Sequence, residues 1–333
     1  MLTVPKVSVL ITVYNSGKFI GNTLEKLSKQ TMKDFEVVCV DDGSTDNSVN
    51  IIEQRRAVDK RIKLVRQENT GVGGARKTAV NHAVADYVLP LDHDDSISDD
   101  ALETSYEEAI NTDSAIVLLD LYSDSSDGKR EKLIDLDCFK WPMEGRLAMQ
   151  LTLSSWMLHG AGLYKKELYS SCYNHCRVDL YNADEYVTRV LLYKAPKVSR
   201  ASGKYYYFSE PTSLTRQFNI RHLEFLDTQY ELFSFLKSED LIDEMGCEWV
   251  IGTFKWIRIL NKKLRLYRKS FTKAEVINAE RKIKLASRNI PKGLLFKIIF
   301  STEYKVKYRF QSILTLFRIE YYLYKLNCNL VRK

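Results

Sequence analysis

The sequence has 333 residues, of which 45% are hydrophobic and 28% are charged, and its formal net charge is +7. This composition is typical of a globular protein with a hydrophobic core, long enough for one large domain or one domain with an appended region. The sequence contains no uncharged apolar stretch of about 18 residues, which excludes a transmembrane helix of ordinary length.

The first 120 residues alternate between short apolar runs and helical patterns. Val7–Val13 is rich in β-branched residues and predicts a buried strand, and Phe35–Val40 predicts the next strand. Further strands are predicted at Ile62–Val65, Tyr87–Leu91 and Ala115–Leu119, with helices between them. Because the connections are short, this alternation predicts an α/β fold with a mostly parallel sheet flanked by helices.

The later part of the chain is less regular. Residues 121–140 are polar and predict a loop or hairpin, and helix and strand patterns return over residues 144–200. Beyond about Phe218 the pattern is wholly helical with few turn signals.

Polar residues follow three of the predicted strands. Thr12 and Tyr14 lie at the end of the first strand, Asp41 and Asp42 follow the second, and Asp92–Asp95 follows the fourth. Ligands bind to parallel α/β sheets outside the carboxyl ends of the strands. The sequence therefore predicts one binding crevice formed by three separate segments.

A glycine-rich segment, Gly71–Thr78, resembles a phosphate-binding loop but does not fit that motif. The motif needs Gly directly before Lys-Thr, and Arg76 occupies this position. Arg76 also replaces the third glycine of the dinucleotide-binding fingerprint. The glycines either hold an anion at a helix N-terminus or form a tight strand-to-helix turn.

Taken in order, these segments resemble glycosyltransferase family 2, whose members have the GT-A fold and invert the anomeric centre. The resemblance covers roughly residues 5–215 and implies a catalytic domain over 1–215, with a nucleotide-sugar half to about 120 and an acceptor half over 121–215. A helical, basic region over 216–333 would follow it. The matching segments are Val7–Asn15, Val40–Asp46, Glu68–Gly71 with Ala75-Arg76, Tyr87–Asp95 and Asn182–Tyr193.

The resemblance implies a donor site for a nucleotide diphosphate sugar. Thr12, Tyr14 and Asp42 would hold the nucleoside, with Asp42 accepting hydrogen bonds from the base, and Arg76 would belong to the donor-binding residues. UDP is the nucleotide expected on family grounds, with galactose, glucose or their N-acetylated forms as the sugar.

The resemblance also implies that the pair Asp92 and Asp94 serves a divalent cation. Asp94 would bind the ion, while Asp92 would reach the ribose or the waters of the metal. A diphosphate leaving group needs such a cation to neutralise its developing charge, and carboxylates suit Mg²⁺ or Mn²⁺. Residues i and i+2 leaving a strand point to the same side, so both carboxylates would face one site.

Asp184 lies where the family has its catalytic base, which would remove the proton of the acceptor hydroxyl. The family usually has Glu-Asp here and this chain has Ala183-Asp184, so Glu185 remains an alternative base. His93 is interpreted as a spacer, and His159 as an internal histidine in preference to an acceptor contact. Many family members have a histidine as the third metal ligand, and no histidine occurs near 211–216. Arg216 in this segment is either a diphosphate contact or a surface residue.

Charge divides the chain unevenly. Residues 251–333 contain 21 Lys or Arg and 4 Asp or Glu, a net charge of +17, whereas the rest carries −10. A helical stripe near the C-terminus is bordered by basic residues, which favours an anionic membrane surface over packing on the enzyme or on a second subunit. The stripe consists of Phe310, Ile313, Leu314, Phe317 and Tyr321, and the basic residues are Lys305, Lys307, Arg309, Arg318 and Lys325.

The N-terminus lacks a signal-peptide pattern and the six cysteines form no paired framework, so we expect a cytoplasmic protein, peripheral on the inner face of the membrane. Cys172 and Cys176 have no second ligand pair at a useful spacing, which favours ordinary thiols over a metal site.

The expected function is transfer of one sugar to a glycan or lipid-linked glycan, giving a β-linkage in capsule or O-antigen assembly. The alternative is a nucleotide-sugar-binding subunit of a two-chain transferase without turnover. A nucleotidyltransferase would need a basic, glycine-rich loop after the first strand, which Thr12–Ser16 is not. No nucleic-acid-binding module is recognised, so no nucleic-acid partner is expected.

Overall fold

The computed structural model describes residues 4–125, 128–209 and 218–316. The chain divides into two compact units, called unit 1 and unit 2 below. Unit 1 consists of residues 1–152, 156–179 and 183–213, and unit 2 consists of residues 153–155, 180–182 and 214–333.

Unit 1 contains a mixed sheet. Its strands are β1 (Val7–Val13), β2 (Phe35–Asp41), β3 (Ile62–Arg66), β4 (Tyr87–Pro90), β5 (Ser96–Ile97), β6 (Ile116–Ser125), β7 (Arg130–Lys132), β8 (Gly162–Lys165) and β9 (Val198–Ser209). They are ordered β3-β2-β1-β4-β8-β6-β9-β5, and β7 pairs with β6. All five strands predicted from the sequence are present, and the polar segment after the fifth forms the predicted hairpin from β6 and β7.

The strands β3, β2, β1 and β4 are parallel, with Val9 opposite Val37 of β2 and Leu89 of β4. β1 and β2 are buried along their whole length, which is why their sequences are continuously apolar and not alternating. Beyond β4 the direction changes, because β8 runs antiparallel to β4 and β6. The α/β fold class predicted from the sequence is confirmed, with its parallel part formed by the segments that carry the predicted site.

Seven helices precede residue 200 in the described part of the chain, and the first three follow β1, β2 and β3. In the first helix, the apolar face of Ile20, Leu24 and Leu27 is buried in the same core as β1 and β2. These helices are α1 (Ile20–Ser28), α2 (Ser48–Val58), α3 (Gly71–His82), α4 (Ala101–Thr112), α5 (Gly145–Leu153), α6 (Lys166–His175) and α7 (Ala183–Lys194).

Unit 2 is helical throughout its described residues from 218, as predicted. Its helices are α8 (Phe225–Ser238), α9 (Ile242–Leu266), α10 (Lys273–Arg288), α11 (Lys292–Phe300) and α12 (Val306–Leu316). The side chain of Trp249 on α9 donates a hydrogen bond to the carbonyl of Gln229 on α8 (2.8 Å), and Leu294 of α11 lies against Gly246 of α9. Over the described residues, no helix combines the length and apolarity needed to cross a membrane.

The predicted C-terminal stripe is only partly described. Phe310 and Ile313 are exposed on α12, and Leu314 is partly buried. Phe317, Arg318, Tyr321 and Lys325 lie outside the described residues, as do residues 211–216 with the candidate Arg216.

Candidate active site

The loops that follow β1 and β2 are hydrogen-bonded to each other. Asn15, at a φ of 48°, accepts a hydrogen bond from the N–H of Thr45 (2.8 Å) through its side-chain oxygen. Asp46 accepts hydrogen bonds from the N–H groups of Gly17 (2.9 Å) and Ser48 (3.0 Å). Because the bonds of Thr45 with Asn15 and of Gly17 with Asp46 cross between the loops, the two strand ends form one fixed wall.

Thr12, Tyr14 and Asp42, the predicted nucleoside residues, lie at that wall. Thr12 is buried in β1, and Tyr14 is exposed just after it. The N–H of Asp42 donates to the carbonyl of Val13 (2.8 Å), which joins the end of β2 to the end of β1. The three residues are therefore neighbours.

Asp42 is already engaged by the protein. Its Oδ1 accepts hydrogen bonds from the side-chain amide of Gln67 (2.7 Å) and the N–H of Thr70 (2.9 Å), and its Oδ2 accepts one from the N–H of Gly71 (2.9 Å). The carboxylate therefore fixes the start of α3. Because a carboxylate oxygen has two acceptor positions, Oδ2 retains capacity for one further donor.

The glycines of α3 have structural roles. Gly71 has a φ of +79°, which favours glycine at this turn. A Cβ on Gly73 would lie 2.3 Å from the carbonyl oxygen of Val178, so only glycine allows this close approach. The N–H of Gly71 is used by Asp42. The tight-turn interpretation of the segment therefore accounts for both residues.

Arg76 on α3 forms an ion pair with Asp92, with 2.9 Å between Nη2 and Oδ1. Its other terminal nitrogen lies 3.4 Å from the hydroxyl of Tyr173 on α6. The side chain of Asp92 is 43% exposed, so the pair borders solvent. Desolvation by the surrounding protein would raise the pKa of Asp92, but the charge of Arg76 outweighs it and the pKa is lowered. Asp92 is therefore ionised and held toward α3.

The acidic segment after β4 forms a turn. β4 ends at Pro90, and the N–H of Asp95 donates to the carbonyl of Asp92 (3.1 Å). Strand alternation therefore does not describe how Asp92 and Asp94 are arranged. Asp95 is buried and accepts hydrogen bonds from the hydroxyl of Tyr205 and the N–H of Phe208, both at 2.7 Å. Burial, reinforced by Asp92, raises the pKa of Asp95 to about 8, which marks it as a structural residue of the turn.

Asp94 lines a cavity of about 270 Å³ between α1 and the ends of β6 and β9. Phe19, Asn22 and Lys26 of α1 form one wall. No cluster of three or more His, Cys, Asp or Glu side chains suited to a metal ion occurs in the described ranges. Two carboxylates fit Mg²⁺ or Mn²⁺ when the donor phosphates and water supply the other oxygen ligands. Asp94 is a candidate ligand because it lines this cavity, and Asp92 is held by its ion pair with Arg76.

Asp184 lies in the first turn of α7 and is exposed. Desolvation by the surrounding protein raises its pKa, and Asp92 and Glu185 add to the effect, while Arg76 opposes it. The pKa of Asp184 therefore responds to the charges of both members of the Arg76–Asp92 ion pair. An exposed carboxylate with a raised pKa has the accessibility and basicity that a general base needs.

Glu185, the alternative base, is buried in an ion pair with Arg189 at 2.7 Å. Arg189 also donates to the carbonyl of Thr152 (2.9 Å) and lies over the ring of Trp156 at 4.2 Å. This pairing engages Glu185 within the protein, whereas Asp184 is exposed.

The two histidines of the predicted site are internal or spacing residues. His159 is buried, its Nδ1 accepts a hydrogen bond from the N–H of Ala161 (3.1 Å), and burial lowers its pKa to about 4. The carbonyl of His93 accepts a hydrogen bond from the hydroxyl of Thr23 (2.7 Å), and its ring lies beside Phe19. Both agree with the interpretations made from the sequence.

Residues 8–169 match the family model described as glycosyl transferase family 2. These residues make up just under half of the chain, and their match bears out the family resemblance predicted from the ordered motifs.

Two curated relatives each match about a third of this chain. Glycosyltransferase GlyG of Streptococcus pneumoniae is 35% identical over 124 residues, which cover 37% of this chain and 41% of GlyG. The poly(ribitol-phosphate) beta-glucosyltransferase of Bacillus spizizenii is 38% identical over 117 residues, 34% of this chain and 18% of that protein. The matched part thus spans less than half the length of either relative.

The solved structure of S. aureus TarS 1–349 covers 93% of this chain and 89% of its own, with a TM-score of 0.65 and 22% identity. The same protein in complex with UDP-GlcNAc gives a TM-score of 0.62 at 20% identity. These likenesses confirm the GT-A fold.

Three residues of the site were not predicted. Tyr205 of β9 donates a hydrogen bond to Asp95 in the turn after β4. Tyr173 of α6 contacts Arg76, and Gln67 donates a hydrogen bond to Asp42. Tyr169 and Tyr173, four residues apart, stack at 4.5 Å between ring centroids. This four-residue spacing is the sequence signal that could have identified the tyrosines of α6. The contact of Tyr205 depends on tertiary pairing, so the sequence carries no local signal for it.

Proposed function

We propose that this chain is an inverting, metal-dependent glycosyltransferase that moves one hexose or N-acetylhexosamine from UDP to an acceptor hydroxyl. The observation that carries the proposal is the charged cluster at the carboxyl edge of the sheet. There, the exposed Asp184 shares its electrostatic environment with the Arg76–Asp92 ion pair. A base, a fixed cation and acidic metal ligands next to a nucleoside wall are the groups that this transfer requires.

In this proposal Asp184 removes the proton of the acceptor hydroxyl as the new bond forms. The electron pair of that oxygen displaces the UDP leaving group from the opposite face of the anomeric carbon, so an α-linked donor gives a β-linked product. Arg76, already positioned by Asp92 and Tyr173, places a positive charge where negative charge leaves the sugar.

Asp94, with Asp92 beside it, would hold the divalent cation, which when bound neutralises charge on the diphosphate. Thr12, Tyr14 and the remaining acceptor position on Asp42 would hold the nucleoside. The TarS complex with UDP-GlcNAc supports UDP as the nucleotide. The poly(ribitol-phosphate) in the name of the B. spizizenii relative supports a polymeric acceptor. In this proposal the acceptor is a glycan or lipid-linked glycan in surface-polysaccharide assembly, at the inner face of the cytoplasmic membrane.

A thermal-shift screen of nucleotide diphosphates and their sugars, with Mn²⁺ and with chelator, tests the donor site. Ligand binding to the folded state raises the unfolding temperature in proportion to the logarithm of ligand concentration over Kd. We expect a metal-dependent shift with one UDP-sugar, followed by release of UDP when a glycan acceptor is added. Donor binding without turnover on any acceptor would favour the alternative of a non-catalytic subunit, and no shift at all would refute the donor site.

A further inference from the structure

Helices α11 and α12 of unit 2 expose large apolar side chains on faces that no other described element covers. On α11, Leu294, Leu295 and Ile298 are buried, yet Phe296 and Phe300 are 46% and 77% exposed. The helix is therefore apolar on both sides, and only one side packs within the unit. Phe296 and Phe300, four residues apart, stack on each other with ring centroids 6.3 Å apart.

The second helix repeats this arrangement. Val306, Phe310 and Ile313 are spaced as one helical stripe, and all three are exposed, Phe310 at 58%. Large exposed apolar groups that lie close together in this way mark interaction surfaces more often than isolated ones do.

The corner between the two helices is fixed. Arg309 of α12, which the sequence placed among the basic residues around the stripe, donates a hydrogen bond from Nε to the carbonyl of Ile299 (2.9 Å). That carbonyl belongs to the last turn of α11, where carbonyls lack partners within the helix. Arg309 therefore joins α12 to the end of α11, which keeps both apolar faces in a constant arrangement.

Basic side chains lie near these helices along the chain. Lys292 is the first residue of α11, and Arg288 is the last residue of α10. Lys305 and Lys307 lie on either side of Val306, the first residue of α12. All four side chains are exposed, and Lys307 also lies over the ring of Tyr308. In the portions of the chain with described structure, none of the four has an ion-pair partner. Exposed aromatic residues with unpaired lysines around them suit the surface of an anionic membrane. The aromatic rings would enter the apolar layer, and the lysines would contact the anionic headgroups.

We infer that α11 and α12 together form a docking face for an anionic lipid surface, with Phe296 and Phe300 as its main inserting residues. The inference extends the membrane location proposed above, because the stripe predicted from the sequence lay wholly beyond residue 309 and did not include α11. Charge complementarity selects the occupant: a second copy of this chain would bring the same lysines against each other.

Vesicle sedimentation of the full chain tests the docking face. We expect binding to vesicles of equimolar phosphatidylcholine and phosphatidylglycerol, little binding to phosphatidylcholine alone, and loss of binding as salt is raised. Phe296→Ser with Phe300→Ser should weaken binding about tenfold or more. Lys305→Glu with Lys307→Glu should weaken it roughly tenfold as well. Tyr230→Ser, which changes an exposed aromatic residue of α8, is the matched control and should bind normally.

Separate readouts keep this test independent of the proposed enzyme activity. The Phe296→Ser/Phe300→Ser variant should keep its unfolding temperature and its metal-dependent shift with UDP-sugar. Unchanged vesicle binding by that variant, equal binding to neutral vesicles, or no binding by the unmodified chain would each overturn the inference. Self-association of the unmodified chain in sedimentation velocity that the double substitution abolishes would assign the face to a second copy instead.

Discussion

The adjacent acids Asp184 and Glu185 provide the sharpest test of the site, because the structure gives them opposite environments. Asp184 is exposed and its pKa responds to the charges of Arg76 and Asp92, whereas Glu185 is buried against Arg189. We therefore compare Asp184→Asn with Glu185→Gln, two substitutions that each replace one carboxylate with an amide of nearly the same size.

Glu185→Gln should affect stability first. The side chains of Glu185 and Arg189 are 8% and 3% exposed, so the substitution leaves a buried cation without its counter-charge. Removing one partner of a buried pair costs about 3–5 kcal/mol. For a domain of this size that corresponds to a fall in Tm of at least about 6 °C.

Asp184→Asn should affect transfer and not stability. The raised pKa of Asp184 means that its ionised form is disfavoured by folding at neutral pH, so the amide should leave Tm unchanged or higher. Loss of a general base lowers the rate by about 10²–10⁴-fold. Donor binding, measured as the metal-dependent thermal shift, should persist.

Differential scanning fluorimetry and a UDP-release assay on both variants give the four values needed. The reasoning is refuted if Glu185→Gln keeps its Tm and loses transfer while Asp184→Asn turns over normally, because Glu185 would then be the base despite its burial. A stable and fully active Glu185→Gln variant would refute only the stability argument.

Three further predictions concern the metal, the packing of α3 and the pH profile. Asp94→Ala should abolish the Mn²⁺-dependent part of the thermal shift with UDP-sugar, and a shift of unchanged size would remove Asp94 from the metal site. Gly73→Ala should lower stability by about 1–3 kcal/mol in denaturant unfolding, because its Cβ would meet the carbonyl of Val178, whereas Gly293→Ala, with open space around it, should not destabilise. Because the pKa of Asp184 is raised, kcat should fall with decreasing pH at a higher pH than an ordinary aspartate would give, and a profile flat to about pH 4 would contradict this.

The location of the site followed from the sequence because it depends on local signals. Buried parallel strands such as β1 and β2 must be apolar throughout, so Thr12 and Asp42 at their ends stand out. The Arg76–Asp92 ion pair depends on packing between α3 and the turn after β4, which no local pattern encodes.

The backbone conformation of the candidate site was harder to predict from the sequence than the location of that site. Asp92 and Asp94 were expected to follow strand alternation, but β4 ends at Pro90 and a hydrogen-bonded turn follows. Apolar residues of α11 were likewise compatible with a buried helix, because composition alone does not show which of Leu294 and Phe296 faces the core.

The engagement of Asp42 changes how mutagenesis of the nucleoside site should be interpreted. Asp42→Ala would remove the hydrogen bonds from Thr70 and Gly71 that hold the start of α3, and α3 carries Arg76. Loss of activity in that variant would report a displaced helix as well as a missing contact with the base. In Asp42→Asn, the side-chain oxygen still accepts the hydrogen bond from Thr70, whereas an amide NH₂ group replaces the oxygen that accepts from Gly71. Comparing the two variants separates the residue's part in building the site from its part in recognising a nucleotide.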